Sequence, residues 1–247
     1  ALDHNSKSID LNGATVIPGF TDSHFHLTNL GKQLDTLQLK GCNSPSEVVA
    51  LVLEKSKILE DDEWVIGFGW DHNKWHEPLF PTADILNTLP ISQPIMLNRI
   101  DGHSSWVNQK AMQLSGLSVS PNPPEGGEII NDCILIDNAM IPVQVVIPKP
   151  DESTVEKWIN LALEIITPRG IANIHDAWQD PVTVKILQKM AEKGELPIRV
   201  YGMLGSSYPK LLKQFFKNGP YQSENYTIRS VKAFIDGALG SSGAALL

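Results

Sequence analysis

The sequence predicts an α/β protein whose strands form a parallel sheet. From residue 151 onward helices alternate with short apolar runs: residues 152–167 carry a helical stripe, and residues 170–176 and 198–204 are typical of buried strands. Helices that connect successive short strands imply parallel pairing with right-handed crossovers. Composition agrees, because 42% hydrophobic and 19% charged residues among 247 are typical of a soluble globular protein with a sizeable core.

The N-terminal segment is predicted to enter a buried strand through a hairpin-like turn. Asn12-Gly13 is a turn signal between two short apolar runs. The second run, residues 14–20, continues into His24-Phe25-His26. We therefore expect this strand to end at the two histidines.

The remaining elements have local start and stop signals. Residues 44–47 form a capping box that begins a helix, and Asp180 with Gly194 delimits a later one. Further strands are predicted at residues 64–71, 94–101 and 230–236, further helices at residues 108–116 and 211–217, and a loop at residues 117–127.

Charge and motifs exclude several classes of protein. The net charge of −8 argues against nucleic-acid binding, and no apolar run reaches the length of a membrane span. A doubly wound nucleotide-binding domain is a poor interpretation, because the chain has neither GxGxxG nor GxxxxGK[ST]. Cys42 and Cys133 lack metal-ligand spacing, which fits a reducing compartment or indifference to redox state. We expect a cytoplasmic protein.

His24 and His26 are the first candidate metal ligands. In a strand, residues i and i+2 point to the same face, and two imidazoles on one face suit a divalent first-row metal. They end an apolar strand, where barrel enzymes place their chemistry. The alternative is a pair of hydrogen-bonded or exposed histidines with no ligand.

Lys232 is the second chemical candidate. It lies between Val231 and Ala233 in a predicted apolar strand, which is an unusual place for a lysine. Burial favours the neutral, nucleophilic amine of such a residue. The alternatives are a side chain that extends to water at a strand edge and a salt bridge to Asp236.

Several segments resemble the amidohydrolase superfamily. Residues 16–26 are similar to the signature of its first barrel strand. Residues 125–129 with 135–140, and residues 231–241, are similar to segments of its amidohydrolase-3 branch, which includes N-substituted formamide deformylase. With residues 170–176 they span nearly the whole chain in the family's order.

The resemblance implies a partial (β/α)8 TIM-type barrel, about strands 1–4. Residues 1–17 would be a remnant of a flanking β-sandwich, and residues 18–32 the first barrel strand with the metal motif. Residues 33–150 would form an inserted α/β subdomain over the active site. Residues 151–247 would supply strands 2–4 with their helices.

The resemblance also implies a metal centre of one or two divalent ions, zinc first, with other first-row metals as alternatives. His24 and His26 would hold the more buried ion. The family lysine that matches Lys232 is carboxylated and bridges two metals, although some members bind one metal without it. A metal-bound hydroxide would attack an amide-like small molecule, so the expected reaction is hydrolysis of carbon–nitrogen bonds other than peptide bonds.

Five further residues are candidates for substrate contacts. They are Trp70, Asp71, His103, His175 and Asp236. Trp70, Asp71 and His103 belong to the subdomain that covers the active-site mouth in this branch. His175 ends the predicted strand at residues 170–176, where it faces substrate or has a structural role. The aromatic run that includes Trp70 fits an apolar pocket wall or simply a core.

The family's remaining ligands, two histidines and an aspartate from later strands, have no matching segment. Because four barrel strands leave unpaired edges, we expect the missing barrel half, or a second chain, to close the fold. The alternative function is a catalytically inactive fragment or binding module with at most a partial metal site.

Overall fold

The computed structural model describes residues 7, 9–118 and 122–234. Its strands are β1 (Phe20–Phe25), β2 (Leu37–Gln38), β3 (Val65–Trp70), β4 (Ile95–Arg99), β5 (Ser104–Val107), β6 (Gly127–Ile130), β7 (Ile134–Asp137), β8 (Ile171–Gln179), β9 (Arg199–Gly205), β10 (Tyr221–Gln222) and β11 (Tyr226–Lys232). Its α-helices are α1 (Leu27–Asp35), α2 (Pro45–Ser56), α3 (Ala83–Asn87), α4 (Gln109–Leu114), α5 (Ile141–Val146), α6 (Glu152–Ile166), α7 (Pro181–Glu192) and α8 (Pro209–Asn218).

The chain divides into two compact units, residues 1–28 with 162–247, and residues 29–161. The first unit holds a sheet with the strand order β1-β8-β9-β11-β10, and the second a sheet with the order β2-β3-β4-β5-β7-β6. Both sheets contain neighbouring parallel strands, so the predicted mixed α/β fold with parallel pairing is confirmed. The predicted role of residues 33–150 as a cover of the active site stays a prediction.

In the first unit, β1, β8, β9 and β11 are parallel neighbours, and β10 pairs antiparallel with β11. Helix α7 connects β8 to β9, and α8 lies between β9 and β10 in the chain. The Asp180 side chain accepts a hydrogen bond from the Thr183 amide at 2.7 Å, and Gly194 follows the helix with φ 71°. The predicted boundary signals of α7 are therefore confirmed.

The two faces of this sheet differ in burial. Ile174 and Asp176 on β8 are buried, as are Val200 and Gly202, their partners on β9. His175, which lies between them in the chain, is only half-buried. Because successive residues of a strand point to opposite faces, Asp176 belongs to the buried face and His175 to the more open one.

In the second unit, β2, β3 and β4 are parallel, and β5, β7 and β6 continue the sheet in antiparallel pairing. Ile95 and Leu97 pack into one buried cluster, while Met96 between them packs into another. Both faces of β4 are therefore covered, as its apolar sequence requires. The predicted N-cap of α2 also forms, because the Glu47 amide donates to the Ser44 hydroxyl at 3.2 Å, while the Glu47 carboxylate accepts from the Asn43 amide at 2.9 Å and not from the Ser44 amide of an ideal capping box.

The prediction of an N-terminal hairpin-like turn that leads into a buried strand is wrong in part. The turn forms, with positive φ at Asn12 and Gly13 and a 2.9 Å hydrogen bond from the Ala14 amide to the Leu11 carbonyl. Residues 14–19, however, are not a strand, and the Ile17 side chain is 60% exposed. An apolar run becomes a strand only where a ladder partner is present, and among the described residues pairing begins at Phe20.

The last strand begins earlier than predicted. We expected residues 230–236, but β11 starts at Tyr226, which pairs with Val200 on β9. The register with β9, and not the apolar pattern alone, sets this start. Residues 235 and 236 lie outside the described residues. Among the described helices, none is both long and apolar enough to cross a membrane.

Candidate metal centre

The end of β1 contains an irregularity in its pairing with β8. Asp22 pairs with Ile174 and Phe25 with Asp176, so β1 advances three residues while β8 advances two. Such an extra residue is a bulge, which redirects nearby side chains. The Asp22 carboxylate accepts a 3.0 Å hydrogen bond from the His24 amide and so closes the bulge locally.

The two predicted histidine ligands are adjacent. The ring centroids of His24 and His26 lie 5.3 Å apart, and the ring planes make an angle of 73°. Strict strand alternation predicts that the two rings share a face, but His26 follows the last residue of β1 and a bulge precedes it. The structure thus brings the pair together by a route that the alternation rule does not describe.

The surroundings of His26 favour its neutral form. Burial lowers the pKa of this half-buried imidazole, and the neighbouring charges of His24 and Lys232 lower the pKa further. Neutral imidazole is the form that binds a metal ion. The Lys232 charge therefore acts on His26, although three strand-to-strand steps separate β1 from β11.

The spacing of the imidazoles fits a shared ion. Two imidazoles bound to one tetrahedral ion through nitrogen bonds of about 2 Å have ring centroids about 5 Å apart. The observed 5.3 Å agrees with this value. Within the described ranges, no group of three or more histidine, cysteine, aspartate or glutamate side chains is arranged to hold a metal.

Lys232 is the last residue of β11 and pairs with Gly205, the last residue of β9. Its ammonium nitrogen lies 5.4 Å from the centroid of the Phe234 ring. We expected the apolar strand to bury this lysine, but it is only half-buried, and Val231 and Ala233 beside it are exposed.

The structure places Trp70, Asp71 and His103 in the second unit. Trp70 is fully buried, and its indole nitrogen donates to the Leu97 carbonyl at 2.7 Å, as in the core alternative. The Asp71 carboxylate accepts a 3.2 Å hydrogen bond from the Asn73 amide. Their predicted substrate contacts stay predictions.

His103 is an exposed residue with an acidic partner. Its Nδ1 lies 2.8 Å from a carboxylate oxygen of Asp137, and its side chain is 76% exposed. The hydrogen bond to Asp137 and the charge of Asp137 raise the pKa of His103. His103 thus lies in a hydrogen-bonded pair with Asp137 at the edge where β5 begins and β7 ends.

His175 and Asp236 complete the predicted substrate residues. His175 is half-buried on the more open face of the first sheet, with its ring centroid 5.1 Å from that of Tyr201. Asp176, the next residue along the strand, belongs to the opposite, buried face. Asp236 lies outside the described residues.

A buried polar network, which the sequence did not predict, contacts the residue that follows His26. Asp176 accepts from the Leu27 amide at 3.0 Å and from the Gln179 side chain at 2.8 Å, and Tyr226 donates to Gln179 at 2.6 Å. Burial raises the pKa of Asp176 to about 6, although both hydrogen bonds that it accepts lower the pKa. The only signal was the carboxylate next to His175, because Gln179 and Tyr226 have no recognisable spacing.

The fold and these side chains define a class. A parallel α/β sheet ends in two adjacent imidazoles, with a lysine charge close enough to act on one of them. We therefore describe an α/β protein with a candidate divalent-metal site at the carboxyl end of its first strand.

The chain belongs to the Amidohydrolase family, Amidohydro_3, whose model matches residues 7–247. It is 30% identical to YtcJ of Bacillus subtilis (strain 168) over 253 residues, which cover 98% of this chain and 47% of that protein. It is 27% identical over 133 residues to the N-substituted formamide deformylase of Arthrobacter pascens, covering 52% of this chain and 24% of that enzyme. The predicted superfamily and branch are thus confirmed.

A solved structure has a similar fold. It is an uncharacterized metal-dependent hydrolase from Pyrococcus horikoshii OT3, with a TM-score of 0.68 and 25% identity, covering 91% of this chain and 44% of that one. The chain thus spans about half the length of YtcJ and of this hydrolase.

Proposed function

We propose that this chain carries part of the metal centre of a hydrolase that cleaves carbon–nitrogen bonds other than peptide bonds in small amide-, formamide- or amidine-like molecules. The observation that carries the proposal is the adjacent pair His24 and His26 at the end of a parallel strand. Family membership and the similarity to a formamide deformylase and to a metal-dependent hydrolase support it.

The proposed architecture is the first half of a (β/α)8 barrel. Strands β1, β8, β9 and β11 are four consecutive parallel neighbours, and α7 lies between β8 and β9 as a barrel requires. Residues 33–150 are the proposed inserted subdomain. The chain's coverage of 44% of the similar hydrolase supports a barrel completed by further strands.

The proposed metal ligands are His24, His26 and Lys232, with zinc as the first candidate. A bound divalent ion would supply Lewis-acid chemistry at the substrate carbonyl. His26 is ready to bind it, because its lowered pKa keeps a lone pair free near neutral pH. Once Lys232 has lost its ammonium proton to water, its amine would attack carbon dioxide: an N–C bond forms, one C–O π bond opens, and an N–H proton passes to water. The resulting carbamate would be an anionic oxygen ligand.

A metal-binding measurement with a matched control tests this proposal. His24→Ala removes one imidazole, and His76→Ala removes an exposed imidazole of the second unit. Zinc affinity, measured by competition with a chromophoric chelator, is expected to fall more than about 100-fold in His24→Ala, because even residues that merely support ligands contribute about 10–100-fold. His76→Ala should bind zinc like the unsubstituted protein. Equal affinity of the two variants would remove the basis of the proposal.

A binding module with a partial metal site is the second candidate. The observation in its favour is that the described part of the chain brings His24 and His26 together without a third histidine, cysteine, aspartate or glutamate arranged beside them to hold a metal. Turnover of an N-formyl compound or a simple amide by the protein with its completed barrel, measured beside zinc content, separates the two functions. Stoichiometric zinc without hydrolysis would favour the binding module.

A further inference from the structure

A chain of hydrogen bonds runs through the buried face of the first sheet. The Tyr226 hydroxyl on β11 donates to Gln179, the Gln179 amide nitrogen donates to Asp176, and the Leu27 amide donates to the same carboxylate. These four residues are at most 1% exposed. Polar groups removed from water in this way are costly unless they are fully paired, so the network fixes its members in place.

The network ends on the residue that follows His26. Leu27 is the first residue of α1, and the first amides of a helix have no acceptor within the helix itself. Asp176 supplies that acceptor from another strand, at 3.0 Å. It also pairs in the ladder with Phe25, the last residue of β1. Asp176 therefore contacts the chain on both sides of His26.

A bulge in β8 and a glycine on β9 make room for this network. Strand β8 advances three residues from Asp176 to Gln179 while β9 advances two, so a bulge turns Gln179 back toward Asp176. Gly202 on β9 leaves the necessary space, because a Cβ atom there would lie 2.1 Å from the Gln179 side-chain oxygen. The bulge in β8, Gly202 on β9 and Tyr226 on β11 thus together place Gln179 against the Asp176 carboxylate.

We propose that Asp176 is a positioning residue: by holding the Leu27 amide, it fixes the turn that sets His26 beside His24. This inference rests on the proposed function, since a fixed imidazole matters only if it binds a metal ion. Asp176 is not itself a ligand, because it belongs to the buried face of the sheet. The bulge at residues 22–25 interrupts the ladder beside His24, so Asp176 restores the support that regular pairing would give.

Three variants test the inference. Asp176→Ala removes the acceptor of the Leu27 amide. Asp176→Asn keeps an oxygen for that amide, and its nitrogen can donate to Gln179 after the Gln179 amide turns over. Ile186 is a buried residue of helix α7 in the same unit, outside the hydrogen-bonded network. Ile186→Ala is therefore the control for a general loss of stability.

We expect zinc affinity to fall about 10–100-fold in Asp176→Ala, as for other residues that support metal ligands. Asp176→Asn and Ile186→Ala should both stay within about threefold of the unsubstituted protein. Amide hydrogen exchange provides a readout that needs no metal: the Leu27 amide should lose protection in Asp176→Ala and keep it in Asp176→Asn.

The outcomes separate the two proposals. If the unsubstituted protein binds zinc and Asp176→Ala binds it equally well, the positioning role is wrong while the proposed function stands. The same holds if Ile186→Ala weakens zinc binding as much as Asp176→Ala does. If the unsubstituted protein does not bind zinc at all, the proposed function fails and this inference fails with it.

Discussion

The free energy of unfolding of Asp176→Asn, compared with that of the unsubstituted protein at the same pH, should be larger at neutral pH than at acidic pH. Burial raises the pKa of this carboxyl from 3.8 to about 6, so the folded state holds the proton more tightly than the unfolded state does. The free energy of unfolding therefore falls as the pH rises from about 4 to about 6, and it stays lower above that range. The difference between the two pKa values corresponds to about 3 kcal/mol.

Asparagine carries no charge at any pH in this range, so the variant escapes that loss. The stability difference, Asp176→Asn minus the unsubstituted protein, should grow by about 3 kcal/mol between about pH 4 and about pH 7. Urea unfolding followed by circular dichroism at each pH measures it. Ile186→Val, which removes one buried methyl group, should differ by about 1 kcal/mol at every pH. A pH-independent difference for Asp176→Asn would refute the reasoning.

Three further outcomes are expected. Gly31→Ala places a Cβ atom 1.7 Å from a backbone oxygen of α6, and urea unfolding should show a loss of about 3 kcal/mol or more. Gly202→Ala places a Cβ atom 2.1 Å from the Gln179 side chain, which hydrogen bonds to Asp176 and Tyr226 hold in place, so the loss should be about 2–3 kcal/mol; unchanged stability would contradict this. Asp137→Asn should lower the pKa of His103 in an NMR titration, because Asp137 is what raises it, and an unchanged pKa would show that the pair does not form in solution.

Helices with local signals were predictable from sequence. The Ser44 cap and the Asp180 cap act through side chains only a few positions away, and both bonds form. The strand at residues 64–71 was also predicted, because its apolar run is long enough to be buried on both faces. Short strands such as β2 and β6 were not predicted. They contain two and four residues, too few to show a periodic pattern. The partner of β2 is β3, beyond helix α2, whereas β6 pairs with the next strand, β7, across a short turn.

In the candidate site, too, some residues were predictable from the sequence and others depend on contacts between distant segments. His24 and His26 were identified from their local spacing and from a resemblance confined to neighbouring residues. Lys232 was chosen because of its apolar neighbours, yet its half-buried position depends on which sheet face stays open. The contact from Asp176 to the Leu27 amide spans 149 positions and involves a backbone group, which no side-chain pattern can reveal.

The sequence by itself determined the α/β fold class, the helix caps, the histidine motif and the family, because each depends on residue types at short spacing. Only the tertiary structure decided the strand register, the bulges in β1 and β8, and the burial of Asp176 beneath the turn at His26. The physical reason is that register and burial are set by contacts between distant segments. Such contacts exist only once the strands have paired and excluded water.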